Sequence, residues 1–123
     1  MIHGYKGKGP QKVWTPWGRS DSAAYLAEGL AIVSTPSHGG LRVSLGLLKK
    51  NSRRGSQWLI EHMATDTMGS YAFFEEDCAM AAVFYDCPEF VQFLPADRRD
   101  AMCDYGHMVI ERHWPHYFQK GEQ

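Results

Sequence analysis

The strongest constraint on the fold is a pair of short apolar runs separated by a polar turn that ends in two glycines. Residues 30–35 are apolar and partly β-branched, and a glycine and a proline bound them, which predicts a strand. Residues 41–44 alternate apolar and polar side chains and predict a second strand. Residues 30–44 are therefore predicted to form a β-hairpin whose five-residue connection is 36–40.

The remaining pattern predicts an α+β fold built around this hairpin. Residues 71–74 favour a strand, so the expected sheet is small and antiparallel, with the hairpin plus one or two further strands. Residues 76–86 start with acidic side chains and are then apolar all round, which predicts a buried helix. Residues 95–113 start with a proline and repeat apolar side chains at helical spacing, which predicts a C-terminal helix.

Three other segments carry weaker patterns. Residues 13–18 are β-prone and aromatic but contain Pro16, so they predict an edge strand or a bend. The alanines of residues 19–28 suit a short helix, and the alternation there is too weak to establish a strand. Residues 65–70 are interpreted as a linker around a glycine.

Length and composition indicate one globular domain. The chain has 123 residues, of which 44% are hydrophobic and 22% charged. Residues 1–12 are rich in Gly and Lys and predict a flexible basic arm, which leaves 13–123 as a single domain. The three cysteines have no disulfide spacing, and no apolar run approaches the ~18 residues of a membrane span. These features predict a protein of a reducing cytoplasm.

The small net charge conceals an uneven distribution along the chain. Residues 1–54 contain nine Lys/Arg and two Asp/Glu, whereas residues 55–123 contain four Lys/Arg and twelve Asp/Glu. Such a division indicates either a basic face and an acidic face for different partners, or two halves that compensate each other within the fold.

The polar turn and the start of the predicted buried helix carry the side chains with the greatest chemical capacity. His38 suits proton transfer or metal ligation. Next to Glu76, Asp77 or Cys78, it would form a His–carboxylate pair, a Cys–His pair or a zinc site. The structural alternative is a His38 that hydrogen-bonds within its turn, acids that cap the helix and a Cys78 that packs as a small apolar residue.

The neighbours of His38 indicate a binding loop. Ser37 adds a hydroxyl, and two successive glycines, Gly39 and Gly40, allow positive φ and a close approach of the backbone to a ligand. The sequence has no phosphate-binding loop, dinucleotide fingerprint or zinc-ribbon spacing, so no cofactor and no dedicated metal site are predicted.

A second candidate surface is basic. Lys49, Lys50, Arg53 and Arg54 lie close together with Trp58 nearby, a combination that suits phosphate contact and base stacking. The alternative is a solvated loop, which the near-neutral isoelectric point of about 6.6 favours.

Several of these segments resemble a family of small uncharacterised domains carried by bacteriophages, prophages and conjugative plasmids. The resemblance covers residues 14–93. It is carried by Trp17-Gly18, Asp21, Glu28-Gly29, STPSHGG at residues 34–40 and FEEDC at residues 74–78. The resemblance implies a context rather than an activity, namely an accessory protein of a mobile element.

The first functional hypothesis from that context is a protein that binds and inhibits a host macromolecule, for example as an anti-CRISPR or anti-restriction protein. The second is a hydrolase dependent on a metal or on a Cys/His pair, with its site at His38 and residues 75–78. The third is nucleic-acid binding through residues 49–54. The context that the resemblance implies favours binding over catalysis, and the sequence leaves the question of an enzyme open. The expected partner is a host protein or protein complex, or else a nucleic acid, and not a membrane, and the expected form is a monomer or homodimer in the cytoplasm of a bacterial host.

Overall fold

The structure is a computed structural model that describes residues 9–119. It is an α+β fold with a five-stranded antiparallel sheet in the order β3-β4-β5-β7-β6 and a separate two-stranded sheet, β1-β2. The predicted fold class is confirmed. The strands are β1 (Trp14–Thr15), β2 (Gly18–Arg19), β3 (Ser22–Ala27), β4 (Leu30–Ser34), β5 (Gly39–Ser44), β6 (Asp66–Met68) and β7 (Tyr71–Glu75).

The predicted hairpin is present as β4 and β5, but its connection is shorter than expected. The strands pair antiparallel from Leu30 opposite Val43 to Ser34 opposite Gly39. The loop is therefore 35–38, and both glycines belong to β5 rather than to the turn. The Thr35 N–H donates a hydrogen bond to the His38 carbonyl oxygen at 2.7 Å, which closes the loop before the first glycine.

Residues 22–27, which suited a short helix, instead form the edge strand β3. Ala23 pairs opposite Val33 and is buried, because it lies on a face of the sheet that is covered. Pairing with β4 thus outweighs the helix propensity of alanine. The predicted linker 65–70 is also partly a strand, since β6 pairs along β7. The sheet consequently has five strands where three or four were expected.

Each face of the sheet carries its own apolar cluster. The smaller cluster is centred on Phe73 and Val33, and the edge of the Trp17 ring packs on Phe73 with centroids 6.1 Å apart. The segment predicted to be an edge strand or a bend, 13–18, therefore lies over this face. Its strands β1 and β2 form a small hairpin. The larger cluster lies between the opposite face and the helices, and includes Leu41, Val43, Ala72, Phe74, Val83, Phe84 and Ile110.

In the described range, four α-helices follow the strands or connect them. They are α1 (Leu45–Asn51), α2 (Ser56–His62), α3 (Ala79–Asp86) and α4 (Arg99–His113), with 3-10 segments at Pro88–Phe93, Ala96–Arg98 and Pro115–Phe118. The buried helix α3 starts at residue 79 rather than 76, because β7 continues to Glu75 and residues 76–78 form a turn. Helix α4 packs against α3, and the two make the most extensive contact between elements of the fold.

Both ends of the chain lie outside the described residues. The predicted arm 1–12 falls largely there, since residues 1–8 are not described. At its inner end, the Gln11 side-chain amide exchanges hydrogen bonds with the backbone of Ala23, at 2.8 and 3.1 Å. Within residues 9–119, no helix combines the length and apolarity that crossing a membrane requires.

Candidate functional site

Antiparallel pairing of β5 with β7 brings the His38 loop next to the acidic segment. Gly40 lies opposite Glu75, so the residues before β5 and those after β7 meet at one end of the sheet. The Glu76 N–H donates to the Gly39 carbonyl oxygen at 3.0 Å and continues the pairing beyond Glu75. The two segments that were expected to meet in space therefore do so.

The carboxylate nearest to the imidazole is Glu75, not Glu76 or Asp77. His38 Nε2 lies 3.7 Å from Glu75 Oε2, and both side chains are about half exposed, at 49% and 46%. An ion pair in such an exposed setting contributes about 0–1 kcal/mol. His38 Nδ1 lies 3.1 Å from Ser37 Oγ, and the His38 N–H donates to Thr35 Oγ1 at 3.0 Å. These contacts fix the loop and leave the imidazole open to solvent.

The expected site is divided between two adjoining depressions. The smaller, of about 180 Å³, is lined by residues 34–39 and Glu76. The larger, of about 530 Å³, is lined by Met63, Ala64, Thr65, Glu75, Asp77, Cys78, Ala79, His113 and Trp114. His38 and Glu76 thus belong to the smaller depression, and Asp77 and Cys78 belong to the larger one. We call the larger depression the acidic cleft. We refer to Glu75, Glu76 and Asp77 together as the acidic edge.

Within residues 9–119, the site shows no contact between a thiol nucleophile and a base. Among the described residues, no hydrogen bond links Cys78 to His38 or to His113, although Cys78 and His113 line the same cleft. A thiol nucleophile needs its base within hydrogen-bonding reach. In the same part of the chain, no three His, Cys, Asp or Glu side chains are placed to hold a metal ion. What the cleft offers is negative charge beside a half-buried indole, that of Trp114.

Gly39 and Gly40 serve packing rather than an unusual backbone conformation, since neither has a positive φ. A Cβ on Gly40 would lie 2.2 Å from the Phe74 carbonyl oxygen and 2.6 Å from the Trp17 ring. A Cβ on Gly39 would lie 2.9 Å from the Val33 carbonyl oxygen. Their expected role as a flexible ligand loop is therefore replaced by close contact with neighbouring strands and with Trp17.

The basic cluster is divided by the fold. Arg53 Nη2 donates to the Tyr85 carbonyl oxygen at 2.7 Å, and its guanidinium lies 4.9 Å from the Tyr85 ring centre. Arg54 Nε donates to the Tyr117 carbonyl oxygen at 3.0 Å. Both arginines thus connect the loop after α1 to later parts of the chain, although Arg53 is exposed, as Lys49 and Lys50 are.

The Trp58 ring is occupied by its own neighbours. His62 stacks on it with centroids 4.1 Å apart, and the Arg54 guanidinium lies 4.8 Å from its centre. His116 lies 5.2 Å away on the same ring cluster. Stacking of a nucleic-acid base on Trp58 would have to displace these contacts.

Sequence reasoning missed a buried polar network around Asp86. This residue is fully buried, and its carboxylate accepts hydrogen bonds from the Ser52 hydroxyl, the Tyr117 hydroxyl and the Arg54 N–H. Burial raises the pKa of Tyr117, and the hydrogen bond to Asp86 raises it further. Burial likewise raises the pKa of the Cys87 thiol, and the charge of Asp86 adds to the effect. The sequence signal for this network was Asp86 itself, a lone carboxylate at the end of an otherwise apolar helix. The role of the network is structural.

Searches of curated proteins and of solved structures found no match to this chain. A family model does match, over residues 10–123. That range includes helix α4. The resemblance carried by STPSHGG and FEEDC covers only residues 14–93 and ends before this helix. The chain therefore belongs to the family described as "Domain of unknown function (DUF7007)".

Proposed function

We propose that this protein is an accessory protein of a mobile genetic element that binds and inhibits a host macromolecule. The observation that carries the proposal is the acidic edge. Within residues 9–119 the Glu76 and Asp77 side chains have no hydrogen bond or ion pair, and Glu75 has only the long contact with His38. Carboxylates that the fold does not use, beside an aromatic cleft, suit recognition of a basic surface.

The same geometry makes binding better supported than catalysis. A Cys/His hydrolase needs the thiol and its base in contact, and a metal-dependent hydrolase needs a set of metal ligands; the described residues provide neither. A binding surface needs shape, apolar area and complementary charge, and the acidic cleft provides these through Met63, Trp114 and its two carboxylates.

Basic surfaces are characteristic of host enzymes that act on nucleic acids, because they neutralise phosphates with Lys and Arg. An acidic edge on a small protein can cover such a surface and exclude the nucleic acid. Together with the resemblance to domains of phages and conjugative plasmids, this favours a nucleic-acid-cleaving defence enzyme of a bacterial host as the target, which is an anti-CRISPR or anti-restriction role. A target of that kind implies that the protein acts in the cytoplasm of the host.

The test is direct binding and inhibition with purified CRISPR effector nucleases and restriction endonucleases. The double charge reversal Glu75→Lys/Asp77→Lys is expected to weaken the complex by at least about tenfold, which corresponds to about 1.4 kcal/mol. The matched control is Glu61→Lys/Glu89→Lys, two exposed acids elsewhere, which should retain wild-type affinity. Absence of a complex with every enzyme, or equal losses in both double variants, would contradict the proposal.

His38→Ala and Cys78→Ala discriminate between inhibition by binding and the hydrolase alternative. Both residues lie at the site without a catalytic contact, so each variant is expected to inhibit the target as the wild type does. Loss of inhibition with unchanged binding, in either variant, would favour the hydrolase.

The nucleic-acid alternative makes a different quantitative prediction. Lys49, Lys50 and Arg53 are exposed, but the Arg53 guanidinium is bound to the Tyr85 carbonyl oxygen, so the two lysines are the candidates for phosphate contact. Each phosphate neutralised contributes about −0.9 to the slope of log affinity against log salt. We expect no measurable oligonucleotide binding by fluorescence anisotropy at physiological salt. Binding whose salt slope becomes shallower by roughly 1.8 in Lys49→Ala/Lys50→Ala would instead establish a nucleic-acid surface.

A further inference from the structure

Helix α4 exposes apolar side chains on the side that faces away from the protein. Ala101, Tyr105 and Met108 follow one another at i, i+4 and i+7 and so form one stripe. Tyr105 is 43% exposed and Met108 is 44% exposed, and they lie next to each other on the helix, so the exposed apolar area is a patch rather than an isolated side chain. A depression of about 340 Å³ lies at this stripe, lined by Asp97, Arg98, Ala101, Met102 and Tyr105.

The orientation of the helix is fixed, so the stripe cannot turn inward. Val109 and Ile110 on the opposite side are buried, and Gly106 packs so closely that a Cβ there would lie 2.3 Å from the Ala81 carbonyl oxygen. Rotation that buried Tyr105 would break this contact with α3. The exposed stripe is therefore a stable property of the fold.

A row of acidic side chains runs along one flank of the stripe. It contains Asp97, Asp100, Asp104 and Glu111, and we call it the acidic row. In the described part of the chain, the three aspartates have no ion-pair partner, and Glu111 has only a 3.6 Å contact with the imidazole of His107. Two exposed arginines lie on the same face, Arg98 in the depression and Arg112 at i+4 from Met108, but the four acids outnumber them. An apolar stripe with a net negative charge beside it is complementary to an amphipathic segment that carries basic residues.

We propose that this face of α4 docks a basic amphipathic segment of a second protein. The apolar side of that segment covers Tyr105 and Met108, and its Lys or Arg side chains lie along the acidic row. Anionic lipid and nucleic acid are the wrong occupants, because their phosphates would face the acidic row. An antiparallel pair of two copies is also disfavoured, because each acidic row would then face its counterpart.

This surface is distinct from the acidic edge. His113, which lines the acidic cleft, follows Met108 by five residues, so it lies about 140° around the helix axis from it. A partner on the stripe and a target on the acidic edge can therefore bind at different sides of α4. The inference goes beyond the proposed function, because it gives the protein a second docking surface.

The probe is a synthetic amphipathic helix with Leu on one face and Lys on the other, titrated into isotopically labelled protein. Amide chemical shifts should change around residues 101–108, and the affinity should fall by about tenfold or more in Tyr105→Ser/Met108→Ser and in Asp100→Lys/Asp104→Lys. Gln57→Ser/Glu61→Lys, on the exposed side of α2, should bind the probe as the wild type does.

Three results would overturn the proposal. The first is a probe that shifts only the residues of the acidic edge. The second is equal binding of a control peptide in which every Lys is Glu. The third is a concentration-dependent dimer in sedimentation experiments that Tyr105→Ser/Met108→Ser abolishes, since the stripe would then be a contact between copies. None of these results depends on whether a defence enzyme is bound.

Discussion

Gly106→Ala is expected to lower the free energy of unfolding by about 3 kcal/mol, at the upper end of the range for added atoms in a packed interior. The new Cβ would lie 2.3 Å from the Ala81 carbonyl oxygen and 2.9 Å from the Tyr85 Cβ. The first neighbour is backbone of α3, so relief requires α4 to move away from the contact that holds it. Alanine favours the helix by about 1 kcal/mol over glycine, which is too little to offset the collision.

The chain provides a matched control in Gly46, a glycine of helix α1 where an added Cβ would meet no other part of the described chain within 4 Å. Gly46→Ala should raise the free energy of unfolding by about 0.5–1 kcal/mol through helix propensity alone. Urea denaturation of the two variants measures both changes. Opposite signs would support the close contact of α3 and α4, and a stabilised Gly106→Ala would exclude it.

The hairpin was predictable because its two strands are adjacent in sequence, whereas the meeting of His38 with the acidic segment was a hypothesis about space, since Gly40 and Glu75 pair across 35 residues. Apolar runs and a turn define β4 and β5, and β7 carries the acids to the same end of the sheet once it pairs with β5. Local pattern also located α4, whose apolar repeat extends over several turns. The hairpin and α4 are determined largely by residues close in sequence.

The features that sequence reasoning missed depend on contacts between distant residues. The alanines of β3 suit a helix locally and become a strand because β4 offers an unpaired edge. Arg53 and Arg54 suit a solvent-facing basic loop, yet their acceptors on Tyr85 and Tyr117 lie 32 and 63 residues away. A pattern of residue types carries no information on such acceptors, so the division of the basic cluster could not be predicted.

The start of α3 was also predicted incorrectly, because it depends on the pairing of the preceding strand with β5. Glu76 and Asp77 were expected at the start of a helix, where a macrodipole favours them. Pairing of Glu75 with β5 keeps the chain extended for longer, and α3 then begins after the acids, at Ala79. The carboxylates are left at the surface without a capping role, which is why they are available to a partner.

Asp86→Ala is expected to lower the free energy of unfolding by at least about 3 kcal/mol, because each buried donor left without an acceptor costs about 1–3 kcal/mol. The lost acceptor serves the Ser52 hydroxyl, the Tyr117 hydroxyl and the Arg54 N–H. These donors come from the loop after α1 and from the C-terminal 3-10 segment, so the variant weakens the attachment of both to α3. Tyr117→Phe removes one donor and keeps the carboxylate, and should cost clearly less in the same urea experiment.

The network also predicts how stability depends on pH. The folded protein raises the pKa of Cys87 above its ordinary value of 9.0 and that of Tyr117 above 10.0, chiefly by burial. Above these ordinary values the unfolded chain releases protons that the folded state keeps. The contribution of the two groups to the free energy of unfolding is therefore fully present below about pH 9 and is lost as the pH rises further. Cys87→Ala/Tyr117→Phe removes both groups and should flatten the decline between about pH 9 and 11. An equally steep decline in that variant would contradict the assignment, because the protons would then come from groups outside the Asp86 network.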